Sequence, residues 1–377
     1  MSTNTTKDGQ RSAQRRIVVI GAGYAGLGAV LNAAKGGGGG GTQVTLIAPE
    51  DRFANRIRQH EVAAGHQVDG ASLAQLAARR GFRFVQARVT ELDLAGRKVF
   101  TDAGAAIGYD ILVYALGSRT AFHGVPGAAE LAFPMERAAD LRDRIAGAAR
   151  PGTVAVVGGG ATGIELAAEL AEAYPAWRVR IVAAGQVGGW FSARGRAAVA
   201  RVFDRLKVSV YEQARVTAVA ADGLRTTAGP IAADVVAWAA SFEVPQLAAQ
   251  SGLAVDDSGR ILVDDRLRSV SHPEVYAVGD AAAVTVAGVP GPLRMACATA
   301  SPMGAYVGKA IRAQARGAEE HKPYEFGFAV QCLSLGRKNG LLQPVERDDR
   351  MKERVFTGRA GKYAKLGILR YVKSSVS

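Results

Sequence analysis

A hydrophobic strand that runs into closely spaced glycines and then into a helical pattern occurs twice in this chain. The first copy is IVVIGAGYAGLG at residues 17–28, and the second is VAVVGGGATGIEL at residues 154–166. The first glycine of such a motif allows a tight turn, the second lets the backbone approach a pyrophosphate, and the third allows close helix–strand packing. The phosphates would lie over the N-terminus of the helix. Two copies therefore predict two bound dinucleotides.

The rest of the chain is consistent with an α/β protein. Strand and helix patterns alternate around both motifs, and 377 residues suffice for two or three domains. The two cysteines, Cys297 and Cys332, are far apart in the sequence. This spacing excludes a disulfide scaffold and a CxxC redox centre, and it fits a reducing compartment.

A third motif, VYAVGDAAAV, places Asp280 at the end of a predicted strand. The carboxylate could accept hydrogen bonds from a ribityl hydroxyl while nearby N–H groups face phosphate. An aspartate that caps a helix would look the same in the sequence.

Five segments in a fixed order resemble the two-dinucleotide-binding-domain flavoproteins of the pyridine nucleotide-disulfide oxidoreductase superfamily. They are IVVIGAGYAGLG, YDILVYALGS, VAVVGGGATGIELAAELAE, VYAVGDAAA and MACATASPMGAYVGKAI. The resemblance covers about residues 16–315. Within the superfamily, the missing cysteine pair and the basic end resemble type II NADH dehydrogenases and the apoptosis-inducing-factor-like ferroptosis-suppressor flavoproteins.

The resemblance implies two Rossmann-like domains, with tightly bound FAD in the first and NADPH or NADH as co-substrate in the second. The FAD domain would comprise residues 16–120 and 246–320, discontinuous around an inserted NAD(P)H domain of residues 121–245. A disordered tail would precede them at residues 1–15, and a small basic α+β segment would follow at residues 321–377.

The resemblance also assigns residues to the cofactors. Those in the FAD domain are Gly21, Gly23, Tyr24, Ala25, Gly26, Arg56, Val89, Ala115, Gly117, Gly279, Asp280, Met295, Ala296 and Cys297. The glycines of the first motif would hold the pyrophosphate, Asp280 would bind the ribityl chain, and residues 295–297 would lie against the isoalloxazine ring.

The corresponding residues of the NAD(P)H domain are Gly158, Gly160, Ala161, Thr162, Gly163, Glu165, Arg194 and Arg196. Glu165 would be the one catalytic side chain, acting by its position near the nicotinamide, because hydride transfer needs geometry more than acid–base groups. Its alternative is a solvent-exposed glutamate on a helix.

Both units lack the acid that usually binds a ribose hydroxyl after the second strand. Ala48 stands there in the first unit, where Glu50 or Asp51 could substitute. Ala183 stands there in the second unit, and no acid follows before residue 204. Arg194 and Arg196 could instead clamp a 2′-phosphate, which favours NADPH slightly over NADH, or they could lie on a solvated helix start.

Two further residues differ from the family pattern. His60 stands where disulfide reductases of the superfamily keep a cysteine pair, so electrons should leave the flavin directly to a small acceptor. Arg56 and His60 would line that face, or His60 would be a surface residue. Cys297 replaces the glutamine that faces the quinone in type II enzymes, and it is either a small buried thiol or a reactive group beside the flavin.

The net charge of +13 is concentrated near the end of the chain, where residues 321–377 hold six lysines and six arginines against five acids. These bases form a solvated face or a docking surface for something anionic. The stretch at residues 359–375 would contact an anionic membrane or pack over the flavin domain.

No secretory signal, metal site or membrane-spanning segment is predicted. This indicates a cytoplasmic protein, with peripheral membrane contact as an alternative.

The sequence predicts an FAD-dependent NAD(P)H oxidoreductase that passes electrons to a quinone or similar aromatic acceptor. A flavin-dependent tailoring enzyme or oxidase acting on one metabolite is the first alternative. A redox-sensing flavoprotein that docks on membrane or nucleic acid is the second. Specific nucleic-acid binding is disfavoured because no nucleic-acid-binding module is recognisable.

Overall fold

The computed structural model describes residues 14–36, 42–318 and 321–374 of the chain. The predicted tail before residue 14 and residues 37–41 of the glycine run lie outside the described residues. The prediction of a tail through residue 15 is wrong at its end, because Arg15 already pairs with Thr42 in the first sheet.

The strands and helices of the described residues alternate along most of the chain. The strands are β1 (Arg15–Ile20), β2 (Thr42–Ala48), β3 (Arg83–Gln86), β4 (Val89–Asp93), β5 (Lys98–Thr101), β6 (Ala106–Gly108), β7 (Ile111–Tyr114), β8 (Arg119–Thr120), β9 (Ala132–Pro134), β10 (Thr153–Val157), β11 (Arg178–Val182), β12 (Ser209–Tyr211), β13 (Val216–Ala220), β14 (Gly223–Thr226), β15 (Gly229–Ala232), β16 (Val235–Trp238), β17 (Phe242–Glu243), β18 (Ile261–Leu262), β19 (Val275–Ala277), β20 (Ala282–Ala283), β21 (Val330–Ser334), β22 (Gly340–Pro344) and β23 (Phe356–Thr357). The helices are α1 (Tyr24–Ala33), α2 (Gln59–Ala63), α3 (Leu73–Arg80), α4 (Ala128–Leu131), α5 (Ala138–Ala146), α6 (Ala161–Ala173), α7 (Ala193–Leu206), α8 (Leu247–Gln250), α9 (Cys297–Ala315) and α10 (Gly358–Ser374).

Two five-stranded parallel sheets organise the molecule. The first has the order β19-β7-β1-β2-β3 and the second has the order β12-β11-β10-β16-β9. Their central strands, β1 and β10, carry continuous apolar runs that are buried, as expected for parallel strands covered on both faces. The prediction of an α/β protein with two Rossmann-like units is confirmed.

The same arrangement of elements occurs in both units. A three-stranded antiparallel meander, β4-β5-β6, precedes β7 of the first sheet, and the meander β13-β14-β15 precedes β16 of the second. Strand β19 joins the first sheet although it follows the whole second unit in the chain. The two connections between the units pair with each other as the short strands β8 and β17.

Helix α1, which follows the first glycine motif, packs unusually closely against α9. A Cβ at Gly304 would overlap the carbonyl oxygen of Ala25, and a Cβ at Gly308 would overlap that of Ala29. Small residues allow two helix backbones to approach in this way, and the contact fixes the start of α9 relative to the first motif.

The C-terminal segment covers both units. Leu333, Leu335 and Leu341 are buried in the core of the second unit, whereas Phe328 and Ile368 pack on the core of the first. Helix α10 lies against the β21-β22-β23 sheet. Across the described ranges, no helix is both long and apolar enough to cross a membrane.

Substitution of Gly304 tests the α1–α9 contact. We expect Gly304→Ala to lower the free energy of unfolding by about 1–3 kcal/mol, the usual cost of overpacking. Gly367→Ala is the matched control, because a Cβ there has no neighbour within 4 Å. That change in the interior of α10 should raise stability by roughly 0.5–1 kcal/mol. Thermal unfolding of both variants decides the point, and a Gly304→Ala protein as stable as the parent would contradict the packing.

Candidate active site

The two glycine motifs have matching backbone conformations. Gly21 (φ +98°) and Gly158 (φ +124°) both adopt positive φ values that favour glycine. The N–H of Gly21 donates to the carbonyl of Ile47 at 2.9 Å, and that of Gly158 donates to Val182 at 2.8 Å. A Cβ at either glycine would overlap a carbonyl at the end of the neighbouring strand. Each turn therefore needs glycine to form at all.

The other glycines of each motif divide into two kinds. A Cβ at Gly26 or Gly163 would overlap the carbonyl oxygen of the turn glycine, so these positions serve helix–strand packing. By contrast, Gly23 and Gly160 have negative φ values of −75° and −79°, are exposed, and would place a Cβ in open space. The open space lies at the N-terminus of α1 or α6, where N–H groups can receive phosphate. Both motifs thus fit a dinucleotide pyrophosphate.

The structure brings Asp280 to the end of β7. Its Oδ2 accepts a hydrogen bond of 2.6 Å from the Ser118 hydroxyl, and Arg56 donates to the carbonyl of the same serine. Asp280 lies in a short 3₁₀ turn next to Gly279, and within the described residues it caps no helix. A Cβ at Gly279 (φ +74°) would meet Ala25 at 3.0 Å, which places this turn beside the first motif.

Other predicted FAD contacts lie around the same motif. Ala115 follows β7, and its N–H donates to Ile20 at 2.9 Å. Gly117 (φ +65°) would carry a Cβ in open space. The Tyr24 hydroxyl instead forms a hydrogen bond within the protein, because it donates to Asn55 Oδ1 at 2.7 Å. Val89 begins β4 and packs on the core of the first unit.

The predicted isoalloxazine contacts lie at the N-terminus of α9. Met295 precedes the helix, Ala296 is its N-cap, and Cys297 is its first residue. Burial raises the pKa of Cys297 to about 11, so the thiol is neutral near pH 7. This favours the interpretation of Cys297 as a small packed thiol.

Glu165 on α6 is buried beneath the C-terminal segment. Its Oε1 lies 3.0 Å from Lys365 Nζ of α10 and accepts a 2.8 Å hydrogen bond from the Ser334 N–H of β21. The side chain of Lys365 is only 10% exposed. The alternative of a solvent-exposed Glu165 is therefore wrong.

His60 on α2 is the third member of this cluster. It is 3% exposed, and its Nδ1 lies 4.0 Å from Glu165 Oε2. The alternative of a surface histidine is wrong. Burial lowers the pKa of His60, so the imidazole is neutral. Burial opposes ionisation of Glu165, but the Lys365 charge, His60 and the Ser334 N–H together lower its pKa.

A second cluster, built around the buried carboxylates Glu61 and Glu169, lies beside the first. The Glu61 carboxylate binds Arg58 at 2.6 Å and Arg337 at 3.1 Å. Arg337 Nε also lies 2.6 Å from Glu169 Oε1, and His66 Nε2 lies 3.3 Å from the same oxygen. Burial opposes ionisation of Glu61, yet the two arginines outweigh it and lower its pKa to about 2.

Fewer charged groups are available to bind the two riboses than the sequence predicts. Asp51 is committed to α3, because it accepts from the Ala74 N–H at 2.7 Å, which leaves Glu50 exposed on that loop. In the second unit Arg194 is exposed and Arg196 lies half-buried on α7. An acid that sequence reasoning missed, Glu212, follows β12 and accepts from the backbone N–H of residue 187 at 2.7 Å.

Sequence reasoning also missed Lys365, Arg337 and Glu169 as parts of buried clusters. A signal was present in α6, where glutamates recur at positions 165, 169 and 172 of an otherwise apolar helix. Such spacing places them on one face, and a face of buried carboxylates requires positive partners.

The buried pair can be tested by removing one partner. We expect Lys365→Met to destabilise the protein by about 3–5 kcal/mol, because Glu165 then stays buried without its cation. The double variant Glu165→Gln/Lys365→Met should recover most of that loss. Denaturant unfolding of the single and double variants measures the coupling, and additive losses would contradict a buried ion pair.

Comparisons with known proteins agree with this architecture. A profile of the family described as pyridine nucleotide-disulphide oxidoreductase matches residues 15–306. An NADH dehydrogenase-like protein of Mycobacterium tuberculosis is 32% identical over 322 residues, covering 78% of this chain and 79% of that protein. The type II NADH:quinone oxidoreductase Ndh of the same organism is 29% identical, covering 92% of this chain and 83% of that protein.

A solved structure has the same fold along most of the chain. NDH2 from Plasmodium falciparum in complex with NADH superposes with a TM-score of 0.79 at 13% identity, covering 95% of each chain. At that identity the likeness concerns the fold alone. The family match, the relatives and the paired glycine motifs lead to one conclusion: the chain belongs to the pyridine nucleotide-disulphide oxidoreductase family.

Proposed function

We propose that this chain is an FAD-dependent NADH:quinone oxidoreductase. The observation that carries the proposal is the pair of matching glycine motifs, each with one glycine open to a ligand. Two dinucleotides in one chain suit a protein in which one nucleotide stays bound and the other is exchanged. The FAD domain would comprise residues 16–120 and 246–320, and the NADH domain residues 121–245.

The residues around each motif have distinct roles in this proposal. The N-termini of α1 and α6 would hold the two pyrophosphates, and Asp280 would bind the ribityl chain. FAD, when bound, accepts a hydride equivalent from the nicotinamide and supplies two electrons to an acceptor. Lys365 and Ser334 hold the Glu165 carboxylate in one orientation, so that it can position the nicotinamide or the acceptor.

NADH is the proposed hydride donor, in contrast to the slight sequence-based preference for NADPH. The two Mycobacterium tuberculosis relatives described above are named for NADH. Glu212 also places a carboxylate beside the loop after β11, where it would repel a 2′-phosphate.

A quinone is the proposed electron acceptor because a type II relative is named for it, and because no CxxC thiol relay exists in the sequence.

We also propose that the outer face of α10 touches an anionic membrane, from which a lipid-soluble quinone would enter. Tyr363 is 58% exposed on this helix, and Arg359 and Arg370 are exposed near it. A basic face with an aromatic residue suits the interface of an acidic bilayer.

Vesicle binding tests the membrane proposal. The protein should sediment with phosphatidylserine-containing vesicles at low salt, less with neutral ones, and less as salt is raised. Replacing Arg359 and Arg370 together by Gln should weaken binding roughly 30-fold, since each basic residue contributes about 1 kcal/mol. Equal binding to neutral vesicles would contradict the proposal.

The open glycines test the cofactor assignment directly. Because Gly23 and Gly160 have negative φ values and open surroundings, valine should fit at either position without loss of fold. We expect Gly23→Val to fold and lose FAD. We expect Gly160→Val to keep FAD but require at least about 100-fold more NADH to bleach it, the loss of roughly 3 kcal/mol of binding.

Each variant serves as the control for the other. Circular dichroism and thermal unfolding establish the fold, FAD absorbance gives flavin content, and anaerobic bleaching gives NADH affinity. Retention of FAD by Gly23→Val, or unchanged NADH affinity in Gly160→Val, would contradict the assignment of that motif.

A further inference from the structure

Helices α2 and α6 enclose polar atoms that the described residues do not satisfy. His60 Nε2 and both carboxylate oxygens of Glu169 are buried without a hydrogen-bond partner. Arg337 Nε lies 2.6 Å from Glu169 Oε1 and forms an ion pair with it. Buried polar groups in this situation are usually satisfied by an ordered water.

These groups extend from the protein surface to the buried Glu165. His66, which follows α2, has a side chain that is 39% exposed, and its Nε2 lies 3.3 Å from Glu169 Oε1. Glu169 is one helical turn from Glu165 on the same face of α6. His60, on the opposing helix, has one nitrogen near Glu165 and the other without a partner.

The proposed reaction consumes one proton, and the inference rests on that proposed function. Glu165 and Lys365 lie near Cys297, a predicted isoalloxazine contact, and therefore near the point where the proton is needed. Reduction of a quinone to a quinol takes two electrons and two protons. A hydride from NADH accounts for both electrons and one proton, so the balance is NADH + H⁺ + quinone → NAD⁺ + quinol. The second proton comes from water. Because the Glu165–Lys365 pair is buried, that proton needs a path inward.

We propose that Glu169 and His60 carry protons from His66 at the surface to the buried Glu165–Lys365 pair, with an ordered water between Glu169 and His60. A proton passes from the His66 imidazolium to Glu169, and from Glu169 through the water to His60 Nε2. The imidazole then releases the proton on Nδ1 toward Glu165, and the Glu165–Lys365 pair passes one proton on to the reduced quinone. A separation of 4.0 Å exceeds a hydrogen bond, so this last transfer requires a small rotation of the ring.

The charges around the two carriers suit these roles. Glu169 is faced by Arg337 from the β21–β22 turn, Glu61 from α2, Glu172 from its own helix and His66. His60 is faced by Glu165, Lys365, Glu61 and Arg337. Burial raises the pKa of Glu169 to about 7, where a carboxyl group both takes up and releases protons near neutral pH. Glu61 is held by Arg58 and Arg337, which keep it ionised with a pKa of about 2.

The first test separates the two halves of the reaction in Glu169→Gln. The FAD-loaded protein is reduced by NADH without oxygen and then mixed with a short-chain quinone in a stopped-flow instrument. We expect unchanged reduction by NADH, and reoxidation slowed by at least roughly ten-fold with a larger solvent deuterium isotope effect. Formate, a small diffusible acid, should restore part of the rate.

Glu172→Gln is the matched control. Glu172 lies on the same helix and accepts a 3.0 Å hydrogen bond from the N–H of Arg337, but it is off the proposed path. This variant should keep the parental rate and isotope effect. His66→Gln changes the residue at the exposed end of the path and should also slow reoxidation. It provides the test if Glu169→Gln fails to take up FAD.

A second readout does not involve turnover. Because Glu169 binds its proton more tightly in the folded state, stability should fall as the pH rises from about 4.5, its unfolded value, to about 7. That part of the pH dependence should be missing from Glu169→Gln and present in Glu172→Gln.

The outcomes are distinguishable. Parental reoxidation rates and isotope effects in both Glu169→Gln and His66→Gln would overturn the relay while leaving the proposed function intact. Parent protein that is bleached by NADH but not reoxidised by quinone would overturn the proposed function, and the relay with it.

Discussion

Two carboxylates buried on helix α6 depend on cations that the C-terminal segment supplies. Glu165 binds Lys365 of α10, and Glu169 binds Arg337 of the β21–β22 turn. A buried carboxylate without a cation costs several kcal/mol, so the second unit and the C-terminal segment are coupled in stability. Arg337 also binds Glu61 of α2, which extends this coupling to the first unit's insertion between β2 and β3. The arrangement makes the last part of the chain a component of the candidate site.

Because of this coupling, the basic residues near the end of the chain have two different roles. Its bases divide into those that face inward, such as Lys365 and Arg337, and those that stay exposed, such as Arg359 and Arg370. The inward group stabilises the packing of the segment over both units. Only the outward group is available to a membrane, so net charge alone overstates the surface open to an anionic partner.

The parts of the fold that local chemistry dictates were predictable from the sequence. Only glycine can form a turn such as that at Gly21, and the spacing from Gly21 to Gly26 fixes the junction between strand and helix. Both parallel sheets follow from continuous apolar strands such as β1 and β10. The prediction of a tail through Arg15 failed at its boundary because strand pairing with Thr42, a long-range contact, continues the strand beyond its apolar run.

The burial of His60, Glu165 and Lys365 could not be predicted in the same way. Each residue lies on a separate element, and polar residues on short or amphipathic helices are usually exposed. Only tertiary packing brings α2, α6 and α10 together and removes all three side chains from water.

In the function proposed for this chain, one bound flavin takes electrons from NADH and gives them to a quinone. An anaerobic absorbance titration of the purified protein, first with NADH and then with a short-chain quinone, measures both transfers in one cuvette. We expect full bleaching by one equivalent of NADH per flavin and rapid recovery with one equivalent of quinone. Purified protein that contains no flavin and binds none when FAD is added would contradict it.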